Sequence, residues 1–229
     1  HLPLSTDSRS AAYICRNVSG RTGCLVAPEL HYTFSGGNLP GTVNVRPEIT
    51  ALLAGDICKS FWLQGIKDVV FVLGHGSPEF VKTMESGLNN LLHLDISLKS
   101  RISVVPIWEL STIWKSTLET DAHAGWVETS LLLAISPELV KCDRPTDQKE
   151  LQPLMLADRY PDNKFIIPRK RQREDARIGV LGDPAQASID KGKQILDECV
   201  ADLSAFVQEL HTCDNIKMCF SYTNSGGMK

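Results

Sequence analysis

The apolar positions of the chain switch several times between a helical and a strand-like period. A helical stripe runs from Ile49 to Leu63 and is followed directly by the continuous apolar run Asp68-Val-Val-Phe-Val-Leu73. The pair then repeats, with a helical pattern over 78–92 and a second apolar run over 102–107. Apolar runs without polar alternation are typical of buried parallel strands. The order helix, strand, helix, strand therefore predicts an α/β fold with a largely parallel sheet.

Outside this region, the pattern predicts further helices, one short strand and two long loops. Helices are expected over 8–18, over 124–135, and over an amphipathic segment that Asp183-Pro184 opens and that ends near His211. The remaining segments are interpreted as a strand over 24–27, as loops over 28–46 and 141–176, and as a patternless tail over 212–229. Within the second loop, the charged run over 169–175 is interpreted as solvated.

Composition adds only broad limits to this picture. The chain has 229 residues, a formal net charge of -3, 42% apolar residues and 22% charged residues, which is ordinary for a soluble globular protein. One compact domain over 1–229 is the default, although length alone also permits two domains. The near-neutral charge gives no electrostatic argument for binding nucleic acid or an anionic membrane. No apolar run approaches the roughly 20 residues that a membrane helix needs.

The cysteines and the first residue carry two further expectations. The chain has seven cysteines, an odd number, and none of them forms a CxxC pair. Scattered thiols suit a reducing compartment better than a disulfide framework, so a cytoplasmic location is predicted. The chain starts at His1 without an initiator methionine, and we interpret it as N-terminally incomplete.

The first candidate for chemistry is His75, which directly follows the predicted strand over 68–73 and has a glycine on each side. Ligands of open α/β sheets gather at the carboxyl ends of the strands. Flanking glycines let the backbone bend sharply and let a metal or substrate approach closely. The alternative is a tight turn between strand and helix with an incidental histidine.

The second candidate is the segment that holds His123 and Glu128. The two residues are five apart, so on a regular helix their side chains would point about 140° apart. They converge only if Asp121 to Gly125 form an entry loop and the helix begins near Trp126. The alternative is a helix that Asp121 caps, with Glu128 on a solvated face.

The third candidate, Asp7, follows Ser5 and Thr6 at a predicted helix start, where an aspartate is most often a cap. Asp7 becomes a stronger candidate when it is considered together with the imidazole of His75 and the carboxylate of Glu128. Carboxylates and imidazoles together are the usual ligands of zinc, manganese and iron in proteins. Asp7, His75 and Glu128 are thus candidate metal ligands, and His123 and Glu128 are candidate catalytic residues.

Five segments, taken in order, resemble the creatininase family of metal-dependent amidohydrolases. His1 to Asp7 resembles the end of the family signature E-x-H-G-P-H-L-P-L-x-T-D, and Leu73 to Gly76 resembles its N-G-H-G-G-N segment. His123 to Ser130 matches H-A-G-x-x-E-T-S. The two remaining matches are Pro40-Gly41-Thr42 with Pro47-Glu48, and Gly182-Asp183-Pro184. Each motif alone is weak, and the order of all five makes the resemblance specific.

The resemblance implies a three-layer α/β/α domain, usually a homo-oligomer, with two divalent metal ions at the strand ends. It places Asp7 at the carboxylate that bridges the two ions and His75 at a metal-binding histidine. It places His123 at a histidine near the substrate, with Glu128 beside it touching metal or the nucleophilic water. Its implied activity is hydrolysis of a small amide, cyclic amide or formamide.

Three departures from the family pattern affect the expected site. The Glu and His of E-x-H would lie before His1, so each metal would lose one ligand. Leu73 stands where the family has Asn. Ser77-Pro78 replaces Gly-Asn, and creatininase itself has a metal-binding glutamate at the position of Ser77. This last change makes creatinine a doubtful substrate.

The expected mechanism uses a metal-bound hydroxide, and two alternatives to it remain open. Two cations beside one water lower its pKa toward neutrality and polarise the substrate carbonyl. His123 would protonate the departing nitrogen, since a histidine titrates near physiological pH. The alternatives are a non-catalytic family member that acts as a subunit or binding protein, and a hydrolase that opens the ring of a cyclic ketone.

Overall fold

The computed structural model describes residues 1–35, 42–95, 101–144, 155–157, 170–172, 179–180 and 182–212. The helices are α1 (Thr6–Thr22), α2 (Pro47–Leu63), α3 (Pro78–Leu94), α4 (Thr112–Thr117), α5 (Trp126–Ile135) and α6 (Ile189–Thr212). The strands are β1 (Asp68–Leu73), β2 (Arg101–Pro106), β3 (Met155–Ala157) and β4 (Lys170–Gln172). Short 3₁₀ turns cover Ile107–Leu110, Pro137–Leu139 and Pro184–Gln186.

The central pair of strands is parallel, as the apolar runs predicted. β1 and β2 pair from Asp68 opposite Arg101 to Leu73 opposite Pro106, and α3 forms the connection between them. Arg101 donates from Nε and Nη2 to the two carboxylate oxygens of Asp68, at 2.5 and 2.7 Å, which fixes the register at the strand starts. A second small sheet pairs β3 with β4 in antiparallel orientation.

Helices cover both faces of the parallel pair. Val70, Val72 and Val105 pack into a core formed mainly by α1, α5 and α6. The alternate residues of the same strands pack into a second core formed by α2 and α3, and they are Val69, Phe71, Ile102 and Val104. Because successive side chains of a strand point to opposite faces, both faces need an apolar cover. The predicted α/β fold with helices on both sides of a parallel sheet is confirmed.

A cavity of about 1260 Å³ lies beside β1. Consecutive strand residues from Asp68 to Leu73 line it, so it borders the edge of the strand rather than one of its faces. Its other walls come from α1, α2, α6 and the segment after α1. Asp7, Gly74 and His75 stand at one end of this cavity, where β1 ends.

One predicted strand and part of one predicted loop differ from the structure. The expected strand over 24–27 is wrong: these residues form no strand, and Leu25 is 84% exposed. Gly23 explains the difference, because it closes α1 with a φ of 75° and turns the chain outward. The predicted loop over 141–176 is wrong for Met155–Ala157, which form β3. Within it, the predicted solvated loop over 169–175 is wrong for Lys170–Gln172, which form β4. Its other residues, the loop tip over 36–41 and the tail over 213–229 lie outside the described residues.

In the part of the chain that the structure describes, no helix is long and apolar enough to cross a membrane. The longest helix, α6, packs its apolar side into the first core through Ile195, Leu196 and Leu203. Its opposite side is charged and exposed, which is the pattern of an amphipathic helix on a protein surface.

Glu198 of α6 caps the start of α4, and its loss should weaken that helix. Its Oε2 accepts hydrogen bonds from Ser111 Oγ at 2.7 Å, Thr112 Oγ1 at 3.2 Å and the Ile113 N–H at 3.4 Å. The hydrogen bond from Ser111 is the main reason that the pKa of Glu198 lies below its usual range. We expect Glu198→Gln to lower the free energy of unfolding by about 1 kcal/mol at pH 7, measured in urea.

The pH dependence of that loss has a definite sign. A carboxyl whose pKa is lowered by folding stabilises the protein above its unfolded pKa of about 4.3. The contribution disappears as the pH falls through the lower, folded value. The stabilities of the Glu198→Gln variant and the parent chain should therefore converge in acid. An unchanged difference at pH 7 and at pH 3 would contradict this explanation.

Candidate functional site

The site begins with a contact between the first turn of α1 and the end of β1. Asp7 Oδ2 lies 3.3 Å from His75 Nδ1, and the two side chains are 42% and 25% exposed, respectively. Asp7 is not the cap of its helix, because Ser5 occupies the capping position, and the Ser5 side chain accepts no hydrogen bond from a backbone N–H of the first turn. The interpretation of Asp7 as a capping residue is therefore wrong, and its carboxylate is directed toward His75.

Gly74 makes this contact possible. A Cβ atom at position 74 would lie 2.2 Å from the carbonyl oxygen of Asp7 and 2.7 Å from its carbonyl carbon. The sequence indicated that glycines beside His75 let a metal or a substrate approach closely, whereas protein backbone is what lies next to Gly74. The structure identifies the group at Gly74 as the backbone of Asp7.

The other nitrogen of His75 faces the segment before α2. His75 Nε2 lies 2.9 Å from the carbonyl oxygen of Ser35, and the Ser35 N–H donates to Asn44 Oδ1 at 2.9 Å. Burial by itself lowers the pKa of His75. Its hydrogen bond to Asp7 and the negative charge of that residue raise the pKa by more than burial lowers it. The net effect is a pKa above the usual range, since both ring nitrogens face oxygen acceptors.

Glu128 enters the site from the first turn of α5. The helix begins at Trp126 after Gly125, as the convergence of His123 and Glu128 required. Ala124, with φ at 49°, turns the entry loop back, and its N–H donates to Glu128 Oε2. The alternative with Glu128 on a fully solvated face is excluded, since the residue is partly buried.

The charged groups around Glu128 affect its pKa. Burial is the main reason that the pKa of Glu128 is raised, and the negative charge of Asp7 raises it as well. The charges of His123 and His75 and the N–H of Ala124 act in the opposite direction. Asp7, His75, His123 and Glu128 thus share one electrostatic neighbourhood, although they come from three separate parts of the chain.

The convergence has a limit that matters for metal chemistry. Among the residues described, no group of three or more His, Cys, Asp or Glu side chains is arranged closely enough to hold a metal ion. Asp7 and His75 are in contact, whereas Glu128 is bound to the backbone of its own loop. The donor types fit a divalent cation such as zinc or manganese, and the set is partial.

Asp121 has a role that the sequence indicated only in outline. As predicted for the capping alternative, its carboxylate accepts hydrogen bonds from the N–H groups of Trp126 and Val127, both at 2.8 Å. Asp121 is only 5% exposed, and burial is the main reason that its pKa is raised. Capping by Asp121 and inward placement of Glu128 occur together, although the sequence presented them as alternatives.

The departure at Ser77 also has a structural explanation. Ser77 Oγ accepts a hydrogen bond from the N–H of Phe80 at 3.3 Å, so it caps α3. Its hydroxyl also lies 3.2 Å from Glu79 Oε2. In the first motif, His1 Nε2 lies 2.8 Å from Thr129 Oγ1.

Comparisons with known proteins show to which family the chain belongs. A family model described as creatininase, creatinine amidohydrolase, matches residues 1–207. The chain belongs to the creatininase family. The prediction of a creatininase-family amidohydrolase is thereby confirmed at the level of the family.

Two relatives within the creatininase family show the range of named activities. A mycofactocin precursor peptide peptidase from Mycobacterium ulcerans (strain Agy99) is 31% identical over 220 residues, covering 88% of this chain and 76% of the relative. A creatinine amidohydrolase from Pseudomonas putida is 27% identical over 231 residues, covering 91% and 84%. The two names describe different substrates, a peptide and creatinine.

Solved creatininase structures share the fold. The Mn form of creatininase superposes with a TM-score of 0.74 at 24% identity, covering 92% of this chain and 85% of the other. A Zn-Zn type creatininase mutant gives a TM-score of 0.72 at 25% identity, covering 92% and 84%. Solved structures of creatininase are thus of manganese and zinc types.

Proposed function

We propose that this chain is the catalytic domain of a metal-dependent hydrolase that cleaves a C–N bond in a small amide, cyclic amide or formamide. The observation that supports it most is the 3.3 Å contact between Asp7 and His75 at the end of β1, with Glu128 in the same electrostatic neighbourhood. A carboxylate and an imidazole from separate elements are in contact there, at the edge where α/β proteins bind ligands.

The residues would divide the work as follows. Asp7, His75 and Glu128 would hold divalent cations of zinc, manganese or iron type, two in a complete site, and further donors would complete the coordination. Bound cations would supply an activated water and polarise the substrate carbonyl. His123 would hold the proton that the departing nitrogen needs, because it lies in the loop that leads into α5 and in the electrostatic neighbourhood of Glu128.

Removal of the Asp7 carboxylate tests this proposal. We expect Asp7→Asn and His75→Ala each to lower hydrolysis of a responsive amide by about 100-fold or more, because each change removes a candidate ligand. The measurement is kcat/KM over a panel of creatinine, hydantoins, formamides and short peptides, with Zn²⁺ or Mn²⁺ added. A cyclic ketone in the panel tests ring opening.

The control for these variants is His93→Ala. His93 lies in the last turn of α3 with an exposed side chain, so its loss should leave both hydrolysis and metal content unchanged. Stoichiometric metal in the parent chain that falls only in the Asp7 and His75 variants would support the proposal. Metal content that is the same in all four proteins would refute it.

One observation favours a second candidate, a family member that binds without catalysis. Within the described residues the donor set is partial, and Ser77 serves as a helix cap rather than a ligand. A protein of this kind would purify with little metal and hydrolyse nothing in the panel. The predictions of a small-molecule substrate, a homo-oligomer and a cytoplasmic location remain predictions for either candidate.

A further inference from the structure

We propose that Asp121 is a positioning residue of this hydrolase: it locks the entry loop to the start of α5, so that His123 and Glu128 face each other. This inference rests on the proposed function in assigning a purpose to the arrangement. The arrangement itself rests only on contacts. Asp121 touches neither Asp7 nor His75, and it acts through the backbone.

Backbone groups of two segments surround one buried carboxylate. Trp126 donates to Oδ1 and Val127 donates to Oδ2, both at 2.8 Å. The N–H of Asp183, in the segment before α6, acts to lower the pKa of the same carboxyl. The carboxylate therefore ties together the entry loop, the first turn of α5 and the Gly182-Asp183 segment.

Two glycines from separate segments of the chain make room for this carboxylate. A Cβ atom at Gly125 would lie 1.7 Å from Asp121 Oδ1, and a Cβ atom at Gly182 would lie 2.1 Å from the same oxygen. Gly182 also has a φ of 146°, which strongly favours glycine. Each glycine belongs to a different sequence motif, and Asp121 is the group that both of them accommodate.

The hydrogen bonds to Asp121 fix the direction of His123 and Glu128. Because the N–H groups of Trp126 and Val127 are held, the first turn of α5 cannot rotate about its axis, and Glu128 lies one residue farther on. Ala124 in the loop donates its N–H to Glu128, which closes a ring from Asp121 through α5 and back to the loop. His123 is the neighbour of Ala124 inside this ring.

The hydrogen bonds that Asp121 accepts from the start of α5 require a carboxylate. An asparagine has nearly the same shape but only one acceptor oxygen. Its NH₂ group would face one of the backbone N–H groups and leave that donor without a partner. Asp121→Asn therefore loosens the ring while adding no bulk.

A matched pair of variants separates positioning from simple stabilisation. Asp121→Asn and Glu198→Gln each replace a carboxylate that accepts hydrogen bonds at a helix start, but Glu198 binds the start of α4 and not that of α5. Side-chain NMR of the histidines, recorded on the whole chain, reports changes in the site without any substrate. Unfolding in urea measures the loss of stability of the same variants. We expect the His123 resonances to move in Asp121→Asn and to stay in place in Glu198→Gln, with His93 and His211 unmoved in both.

Gly182→Ala provides a second route if Asp121→Asn folds poorly, because it crowds the same oxygen and leaves the carboxylate intact. Its His123 resonances should move in the same way. On a responsive amide, either site variant should lower kcat by about 100-fold with a smaller change in KM. Unmoved His123 resonances in a folded Asp121→Asn variant would overturn the inference. Absence of metal and of hydrolysis in the parent chain would refute the proposed function and leave the NMR result decisive for Asp121.

Discussion

Gly74→Ala should separate Asp7 from His75 and destabilise the chain by about 3 kcal/mol. The new Cβ would meet three backbone atoms of Asp7, at 2.2, 2.7 and 3.0 Å, and backbone atoms cannot move aside by changing a rotamer. The start of α1 must shift away from the end of β1. Urea unfolding measures the loss of stability, and metal content measures the loss of the Asp7–His75 contact.

The control lies on the other side of the same histidine. A Cβ at Gly76 would meet only ring carbons of Trp108, at 3.9 and 4.0 Å, which is ordinary van der Waals contact. Gly76→Ala should therefore leave metal content unchanged and alter stability little. If Gly74→Ala is as stable as Gly76→Ala and keeps its metal, the close approach of Asp7 is not essential to the site.

Gly192→Ala should also destabilise the chain by about 3 kcal/mol, through the crossing of α5 and α6. A Cβ at this buried position would lie 1.9 Å from the carbonyl oxygen of Ser130 and 2.5 Å from its carbonyl carbon. Close packing leaves the two helices no room to absorb this without separating. Because α5 also carries Glu128, we expect hydrolysis to fall together with the urea midpoint.

Gly20→Ala is the matched control for this helix substitution. Gly20 lies in α1 with an exposed surface, and a Cβ there would have no neighbour within 4 Å. Alanine should stabilise the helix by roughly 0.5–1 kcal/mol, because it lowers the conformational freedom of the unfolded chain. A destabilised Gly20→Ala would show that the cost at Gly192 comes from helix conformation and not from the crossing.

The sequence predicted the frame of the fold well where one residue pattern had one structural solution. The run Asp68 to Leu73 has no polar interruption, so only a strand covered on both faces satisfies it. The run over 24–27 was too short to decide, and Gly23 directed it to the surface instead. The pairing of Lys170–Gln172 with Met155–Ala157 depends on a partner some 15 residues away, which periodicity alone does not reveal.

The candidate site was predictable in its residues and less so in its contacts. The five-residue spacing of His123 and Glu128 excluded a shared regular helix, and the structure begins the helix at Trp126 as that reasoning required. The contact between His75 and the carbonyl of Ser35 could not be predicted, because a backbone acceptor leaves no mark in the sequence. The same holds for the two backbone N–H groups that donate to Asp121.

The contact between Asp7 and His75 joins residues that are 68 positions apart, and His1 reaches Thr129 across 128 positions. No hairpin or single helix can assemble such a centre, since each of these two contacts requires a distant segment to dock. Chain closure over such lengths is costly until the cores on both faces of β1 are in place. The centre therefore forms only with the completed tertiary structure. A partly folded fragment would contain the sequence motifs, but its site residues would not be brought together.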